Sequence, residues 1–244
     1  MRTAILADFD GSLSAIVDHP DDAVPVDGAI AVLDRLTQTF GRVGIVSGRP
    51  VDFLRRVLPV DGLELVGQYG LERWDRHRQQ IEVDPAAVPY EAAVAAVAVA
   101  AELELPGVFV ERKGAIAVTL HWRMQSALAT EVRTWAVHAA ESSGLTPYPS
   151  KMAVELRPPV SVDKGRGVER LVSGMRNALF AGDDHGDLSG FDALDRLVAS
   201  GSLTTAVRVA VRSDEEPNGL VERADVLVDG PRALVAFFEE LAAV

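Results

Sequence analysis

The chain has 244 residues, 48% of them apolar and 25% charged, which suits one large or two modest globular domains with a sizeable core. It contains no cysteine, so disulfides, thiolate nucleophiles and Cys-ligated zinc or iron–sulfur centres are excluded. A formal net charge of −12 argues against general nucleic-acid binding, although local cations can still hold a phosphorylated small molecule inside a pocket.

The first third alternates strand and helix. Thr3 to Ala7 is an apolar run that predicts a strand, followed at once by Asp8-Phe9-Asp10-Gly11-Ser12. Asp27 is a candidate N-cap for a helix with Ile30, Leu33, Leu36 and Phe40 on one face. Val43 to Val46 reads as a second strand, apolar throughout as when both faces are covered. A helix over Asp52 to Leu58 and a short strand over Leu63 to Val66 follow. The middle reads differently: a helix over Tyr90 to Glu104, a hairpin of Val108 to Glu111 and Ala115 to His121 about Lys113-Gly114, a helix over Gln125 to Ser142, then strands at Leu145 to Tyr148 and Met152 to Arg157. In the last third, helix Gly165 to Met175, strand Ala178 to Ala181, helix Leu188 to Val198 and strands Ala206 to Val211 and Ala224 to Val228 alternate again. Pro231 suits the first turn of a closing helix carrying Leu234, Phe237, Phe238 and Leu241.

Alternation at both ends predicts a parallel sheet with helices on both faces. The helix–two strands–helix–two strands middle, flanked by Pro85 and Pro89 and by Pro158-Pro159, predicts an inserted α+β domain. The expected division is a core formed by residues 1–86 and 159–244 and an insert of 87–158. No basic-then-apolar leader is visible, and the longest apolar run, Ala92 to Ala101, is well short of the roughly 18 residues of a membrane span. A cytoplasmic monomer with no membrane and no nucleic-acid partner is therefore expected.

Four polar clusters fall just past predicted strand ends, the edge where open α/β sheets bind ligands. Asp8 and Asp10 are like charges two residues apart, and a divalent hard cation between them would relieve their repulsion; an ordinary Asp-Gly turn is the plainer alternative. Ser47-Gly48-Arg49 offers a hydroxyl, a flexible backbone N–H and a guanidinium to phosphate oxygens, or is merely a polar turn. Lys164 opens a helix where a cation is unfavourable, which hints at an anion, or else it is solvated. Gly182-Asp183-Asp184-His185-Gly186-Asp187 sets three carboxylates on one strand tip, or caps a helix.

In this order the clusters resemble the four motifs of the haloacid dehalogenase superfamily, over nearly the whole chain. The resemblance implies a Rossmann-like α/β core with an inserted α+β cap, and Mg²⁺ as cofactor. It implies Asp8 as nucleophile, Asp10 as general acid/base and Lys164 as the cation that offsets transition-state charge. Asp8, Asp10 through its backbone carbonyl, and Asp183 would hold the metal; Ser47 and Lys164 would bind the phosphoryl oxygens; Asp184 and Asp187 would support the metal from behind. More narrowly, Asp8 to Ser14 running on to Pro20 and Ala23, Glu111-Arg112-Lys113, His121-Trp122-Arg123 and Glu155-Leu156-Arg157-Pro158 resemble the trehalose-6-phosphate phosphatases. Carried over, Glu111, Lys113, His121, Arg123 and Glu155 become candidate sugar contacts, each alternatively a solvated hairpin charge. Departures are Ser12 for a usual Thr, Gln68-Tyr69 before Gly70-Leu71-Glu72, and His185-Gly186-Asp187 after the Asp pair. The expected activity is hydrolysis of trehalose 6-phosphate. Open alternatives are another sugar phosphate such as sucrose phosphate or a mannosyl phosphoglycerate, a sugar phosphomutase, and a non-catalytic sugar-phosphate sensor.

Overall fold

The computed structural model describes residues 2–17, 19–150, 152–212 and 219–243. The chain divides into two compact units, Met1–Glu82 with Val162–Val244, and Val83–Ser161.

In the first unit the strands are β1 (Thr3–Ala7), β2 (Arg42–Val46), β3 (Glu64–Gly67), β4 (Glu72–Asp75) and β5 (Gln80–Val83). The helices of this segment are α1 (Ala29–Thr39) and α2 (Val51–Val57). The second unit supplies α3 (Glu91–Glu104), β6 (Phe109–Lys113), β7 (Ala117–His121), α4 (Ala129–Ser143), β8 (Thr146–Ser150) and β9 (Ala153–Arg157). The chain then returns to the first unit through α5 (Lys164–Val172), β10 (Asn177–Gly182), α6 (Leu188–Ala199), β11 (Thr205–Val211), α7 (Leu220–Arg223), β12 (Val226–Val228) and α8 (Gly230–Ala242).

The first unit's sheet has the order β12-β11-β10-β1-β2-β3-β4-β5. It is parallel from β12 to β3, and β4 runs antiparallel to β3. Successive side chains face opposite sides, so a strand buried on both sides must be apolar at every position. One face collects Ile5, Ala7, Val43, Ile45, Leu179 and Val209 against Val32, Leu33 and Leu36 of α1 and Leu234 and Phe238 of α8. The other collects Ala4, Leu6, Val46, Phe180 and Ala210 against Val168 and Leu171 of α5 and Phe191 and Leu194 of α6. Fully burying a side chain such as Leu6 or Phe180 contributes roughly 1.5–3 kcal/mol.

The second unit's sheet has the order β6-β7-β9-β8 and every neighbour is antiparallel. Alternation splits its two faces. Val118, Leu120, Val154 and Leu156 pack on Val94, Val97, Ala101, Val132 and Ala136 of α3 and α4. The intervening positions carry the polar Glu111, Lys113, Thr119, His121, Glu155 and Arg157, beside Phe109, Ala117 and Ala153.

Several sequence expectations need correction. Asp27 does not cap α1; Gly28 does, in a left-handed conformation (φ 86°) that ends a tight turn closed by the Ala29 N–H on the Val26 carbonyl. Ile30 is exposed, because the buried stripe runs through Ala29, Val32, Leu33 and Leu36. The helix expected from Gln125 begins at Ala129, since buried Trp122 anchors a preceding 3₁₀ turn in which Gln125 leaves helical geometry (φ −139°, ψ 58°). The sheet is not wholly parallel: β4 and β5 extend its edge, and their short, charge-rich sequences hid them.

Candidate active site

Register builds the site. Ala7 lies opposite Ala181 of β10 on one side and Ile45 of β2 on the other. Parallel strands in step deliver the residues that follow to one edge, so Asp8, Asp183 and Ser47 emerge together. Lys164, the first residue of α5, reaches the same place because that helix packs against the same sheet face. Its neighbour's N–H donates to the Ser189 hydroxyl, and the Asp163 carboxylate caps the helix by accepting the Arg166 N–H.

The result is a dense buried electrostatic cluster. Lys164 Nζ lies 3.0 Å from Asp8 Oδ2, 2.8 Å from Asp187 Oδ1 and 3.3 Å from Asp184 Oδ1. The second oxygen of Asp187 accepts the backbone N–H groups of Asp183 and Asp184 at 2.9 and 3.0 Å, so Asp187 stitches the loop to the lysine. Ser12 donates its hydroxyl to Asp183 Oδ1 at 3.2 Å. Asp8, Asp183, Asp187 and Lys164 are all buried.

One ammonium does not balance these acids. Burial raises Asp8 to about 7 against the opposing pull of Lys164, with Asp184, Asp183 and Asp10 adding to the rise. Burial likewise raises Asp183 to about 8, helped by Asp187 and Asp184. Burial works against the charge of Lys164, yet Asp187, Asp8 and Asp184 together hold it well above the usual lysine value.

The donor set fits a divalent cation. Oxygens of Asp8, Asp183 and Asp187 lie within 4.8 Å of one another. Asp8 Oδ1 is buried with no hydrogen-bond partner, a state that costs on the order of 1–3 kcal/mol unless something positive meets it. Gly11 (φ 75°) leaves a cradle in front of Asp183: a Cβ there would stand 1.9 Å from Asp183 Oδ2. Of the acids, Asp8 and Asp183 have oxygens to spare, whereas both oxygens of Asp187 are already engaged.

Asp10 is not part of that acid cluster. Its carboxylate receives both Nε and Nη2 of Arg49 at 2.7 Å, and Arg49 Nη1 donates to the Pro20 carbonyl at 2.9 Å. Arg49, expected on phosphate, is thus bound to the second aspartate, with its guanidinium 4.7 Å from the Phe53 ring centre. Ser47 Oγ accepts the Arg49 N–H at 3.2 Å, so the hydroxyl keeps its own proton to donate. Gly48 packs against the Tyr69 ring.

On the second unit's polar sheet face, four of the five candidate sugar contacts form two pairs. His121 Nε2 meets Glu111 Oε2 at 2.8 Å, and Lys113 Nζ meets Glu155 Oε2 at 2.8 Å. Thr119 and Arg157 also hydrogen-bond Glu155, and Arg157 lies 3.7 Å from the Tyr148 ring centre. Arg123 is exposed in the 3₁₀ turn beyond β7. Sequence reasoning passed over Ser12, Thr119 and Tyr148. Ser12 was readable from its place in the first motif; the other two needed the strand register. A separate cleft of about 810 Å³ beside Arg55 and Trp74 lies at the other end of β3 and contains none of the clustered acids.

A model of the family described as trehalose-phosphatase matches residues 6–222. The chain belongs to the trehalose-phosphatase family. Among its relatives, a trehalose-phosphate phosphatase of Mycobacterium avium is 32% identical over 250 residues, covering 98% of this chain and 62% of that protein. An uncharacterised glycosyl hydrolase of Mycobacterium tuberculosis is 32% identical over 253 residues, covering 99% of this chain and 18% of that protein. The chain thus spans from about a fifth to about three-fifths of these relatives' length. The crystal structure of a trehalose-6-phosphate phosphatase related protein superposes with a TM-score of 0.82 at 24% identity, over 98% of this chain and 97% of that one. The C-terminal domain of the Candida albicans trehalose-6-phosphate phosphatase gives 0.76 at 22% identity, over 100% and 92%. These structures share the α/β fold expected from the sequence. Among the described residues, no helix is long and apolar enough to cross a membrane.

Proposed function

We propose that this trehalose-phosphatase family member hydrolyses trehalose 6-phosphate to trehalose and phosphate through a phosphoryl-aspartate formed on Asp8. The observation that carries the reading is the pairing of Asp8 with Lys164 at 3.0 Å, two residues before an Asp10 held on a separate arginine. Two aspartates in such different surroundings suit two different tasks.

A carboxylate oxygen of Asp8 attacks phosphorus, and the sugar oxygen leaves with a proton from Asp10, which acts here as a carboxylic acid carrying that proton on one oxygen while the other stays on Arg49. Water then attacks the phosphoryl-aspartate, gives its proton to Asp10 and releases phosphate, restoring Asp8. Proton transfer of this kind contributes roughly 10²–10⁴-fold. Lys164 offsets the repulsion between Asp8 and the phosphate dianion, and the Ser47 hydroxyl donates to a phosphoryl oxygen. Asp8 and Asp183, with the Asp10 carbonyl, would hold a Mg²⁺ ion. Bound there, Mg²⁺ supplies charge neutralisation at the phosphoryl oxygens. The polar face carrying Glu111, His121, Lys113 and Glu155 is assigned recognition of sugar hydroxyls, with the second unit as the cap. Arg123, exposed beyond β7, stays a candidate contact of the same sugar.

The test is phosphate release from a panel of sugar phosphates with Mg²⁺ and with chelator. Release from trehalose 6-phosphate that vanishes with chelator and in Asp8→Asn supports the reading. Release only from a different sugar phosphate replaces the substrate, and undiminished activity of Asp8→Asn overturns the nucleophile.

A further inference from the structure

The segment Gln68-Tyr69-Gly70-Leu71-Glu72 plays no part in the chemistry above, yet it is tied closely to Ser47-Gly48-Arg49. Glu72, buried on β4, accepts the N–H of Val51, the first residue of α2, at 2.8 Å. The Gln68 N–H donates to the Arg49 carbonyl at 3.0 Å and the Tyr69 N–H to the Ser47 carbonyl at 3.1 Å. Three hydrogen bonds therefore span one five-residue stretch and the backbone on either side of Gly48. To make them, Gln68 and Tyr69 both adopt left-handed backbone (φ 50° and 58°), which side chains disfavour and which persists only where surroundings impose it. Shape agrees with the bonding. A Cβ at Gly67 would stand 2.6 Å from the Arg49 carbonyl oxygen, and one at Gly48 would stand 2.7 Å from the Tyr69 ring. Two segments from successive strand ends are pressed together as closely as backbone allows.

We infer that Gln68–Glu72 is a positioning bracket for the Ser47–Arg49 loop, with Glu72 as its principal tie, and that through Arg49 it sets the carboxylate of Asp10. Arg49 grips Asp10 by two nitrogens, so the aspartate can point only where the loop lets the guanidinium lie. Glu72 and Tyr69 are positioning residues: they act on the loop, and the loop acts on the proton donor. The inference rests on the proposed function only in taking Asp10 as the acid that protonates the leaving group.

That dependence supplies the test. A sugar alkoxide is a poor leaving group and needs a proton, whereas p-nitrophenolate leaves without one. Glu72→Ala and Gly67→Ala are compared with wild type on p-nitrophenyl phosphate and on the sugar phosphate that wild type cleaves fastest. Both variants should lose about tenfold or more in kcat/KM on the sugar phosphate and less than about threefold on p-nitrophenyl phosphate, because kcat/KM reports the first transfer, where only the sugar alkoxide needs a proton, and not the hydrolysis of the phosphoryl-aspartate that both esters share. Glu72→Gln, which keeps an acceptor oxygen for Val51, should restore the sugar-phosphate rate. Amide exchange at Val51, Gln68 and Tyr69 should quicken in Glu72→Ala and not in Glu72→Gln. A simple loss of folded protein would lower both rates together, and that result, or unchanged rates, overturns the inference. Gly67→Ala retains the carboxylate and decides the matter if Glu72→Ala does not fold. Should wild type cleave p-nitrophenyl phosphate but no sugar phosphate, the proposed function fails; amide exchange then judges the bracket without substrate, and unchanged exchange overturns it.

Discussion

Glu72 offers a stability experiment whose sign and size follow from its surroundings. Burial raises its carboxyl from 4.5 to about 7, against the lowering effect of the Val51 N–H and with Asp52 adding to the rise. A folded pKa above the unfolded one means that the folded state prefers the protonated form. Below pH 4.5 the group is neutral in both states and costs nothing. Between 4.5 and about 7 only the unfolded chain ionises freely, so stability falls as pH rises, and above 7 the loss levels off. A shift from 4.5 to about 7, at 1.36 kcal/mol per unit, corresponds to a penalty of about 3 kcal/mol at alkaline pH. Glu72→Gln keeps an oxygen for Val51 and never ionises. The variant should match wild type near pH 4 and melt roughly 6–12 °C higher at pH 8.5, taking about 2–4 °C per kcal/mol for a chain of this size. Thermal melts of both proteins across that range decide it. A gap that stays flat or closes as pH rises would refute the argument that a buried, ionising Glu72 carries the cost.

Other outcomes follow from the cluster and the second unit. Lys164→Met strips the ammonium from Asp8, Asp184 and Asp187, and leaving buried acids uncompensated should cost about 3–5 kcal/mol; melts should show part of that recovered as pH falls and the acids protonate. Gly11→Ala drives a methyl into Asp183, so Mg²⁺ should raise the melting temperature of wild type but not of this variant in the same titration. Lys113→Ala leaves Glu155 with Arg157 as its remaining cation and should raise KM for the sugar phosphate about 10-fold or more while p-nitrophenyl phosphate hydrolysis holds. Equal losses on the two esters would remove Lys113 from sugar recognition.

Legibility in the sequence tracked how local each feature is. Thr3–Ala7, Arg42–Val46 and Asn177–Gly182 announce themselves as apolar runs because both sheet faces are covered, and the polar residues after each could be assigned to one edge before any coordinates. The strands Glu72–Asp75 and Gln80–Val83 escape a reading by apolar runs because Glu, Arg, Asp and Gln dominate them; on the outermost strand, Gln80–Val83, charge keeps the edge from pairing with another chain. Arg49 was assigned to phosphate by residue type, but its partner is Asp10, 39 positions earlier in the chain, and no spacing rule reveals such a pair. Asp187, expected behind the metal ligands, hydrogen-bonds Lys164 and the backbone amides of Asp183 and Asp184. Thr119 and Arg157 join the Glu155 network only through the antiparallel register of β7 with β9, which depends on pairing rather than composition.

The neighbouring placement of β1 and β10 has a consequence for biogenesis. Asp8 and Asp183 leave the ribosome 175 residues apart, the difference of their numbers. At about 5–20 residues per second the first strand waits roughly ten to thirty-five seconds for its neighbour to be synthesised. Until then the strand that leads into Asp8 has an unmatched flank, and no fragment ending before Asn177 can bring Asp8 and Asp183 together. The acid cluster therefore forms only after β10 and the loop that follows it have been synthesised.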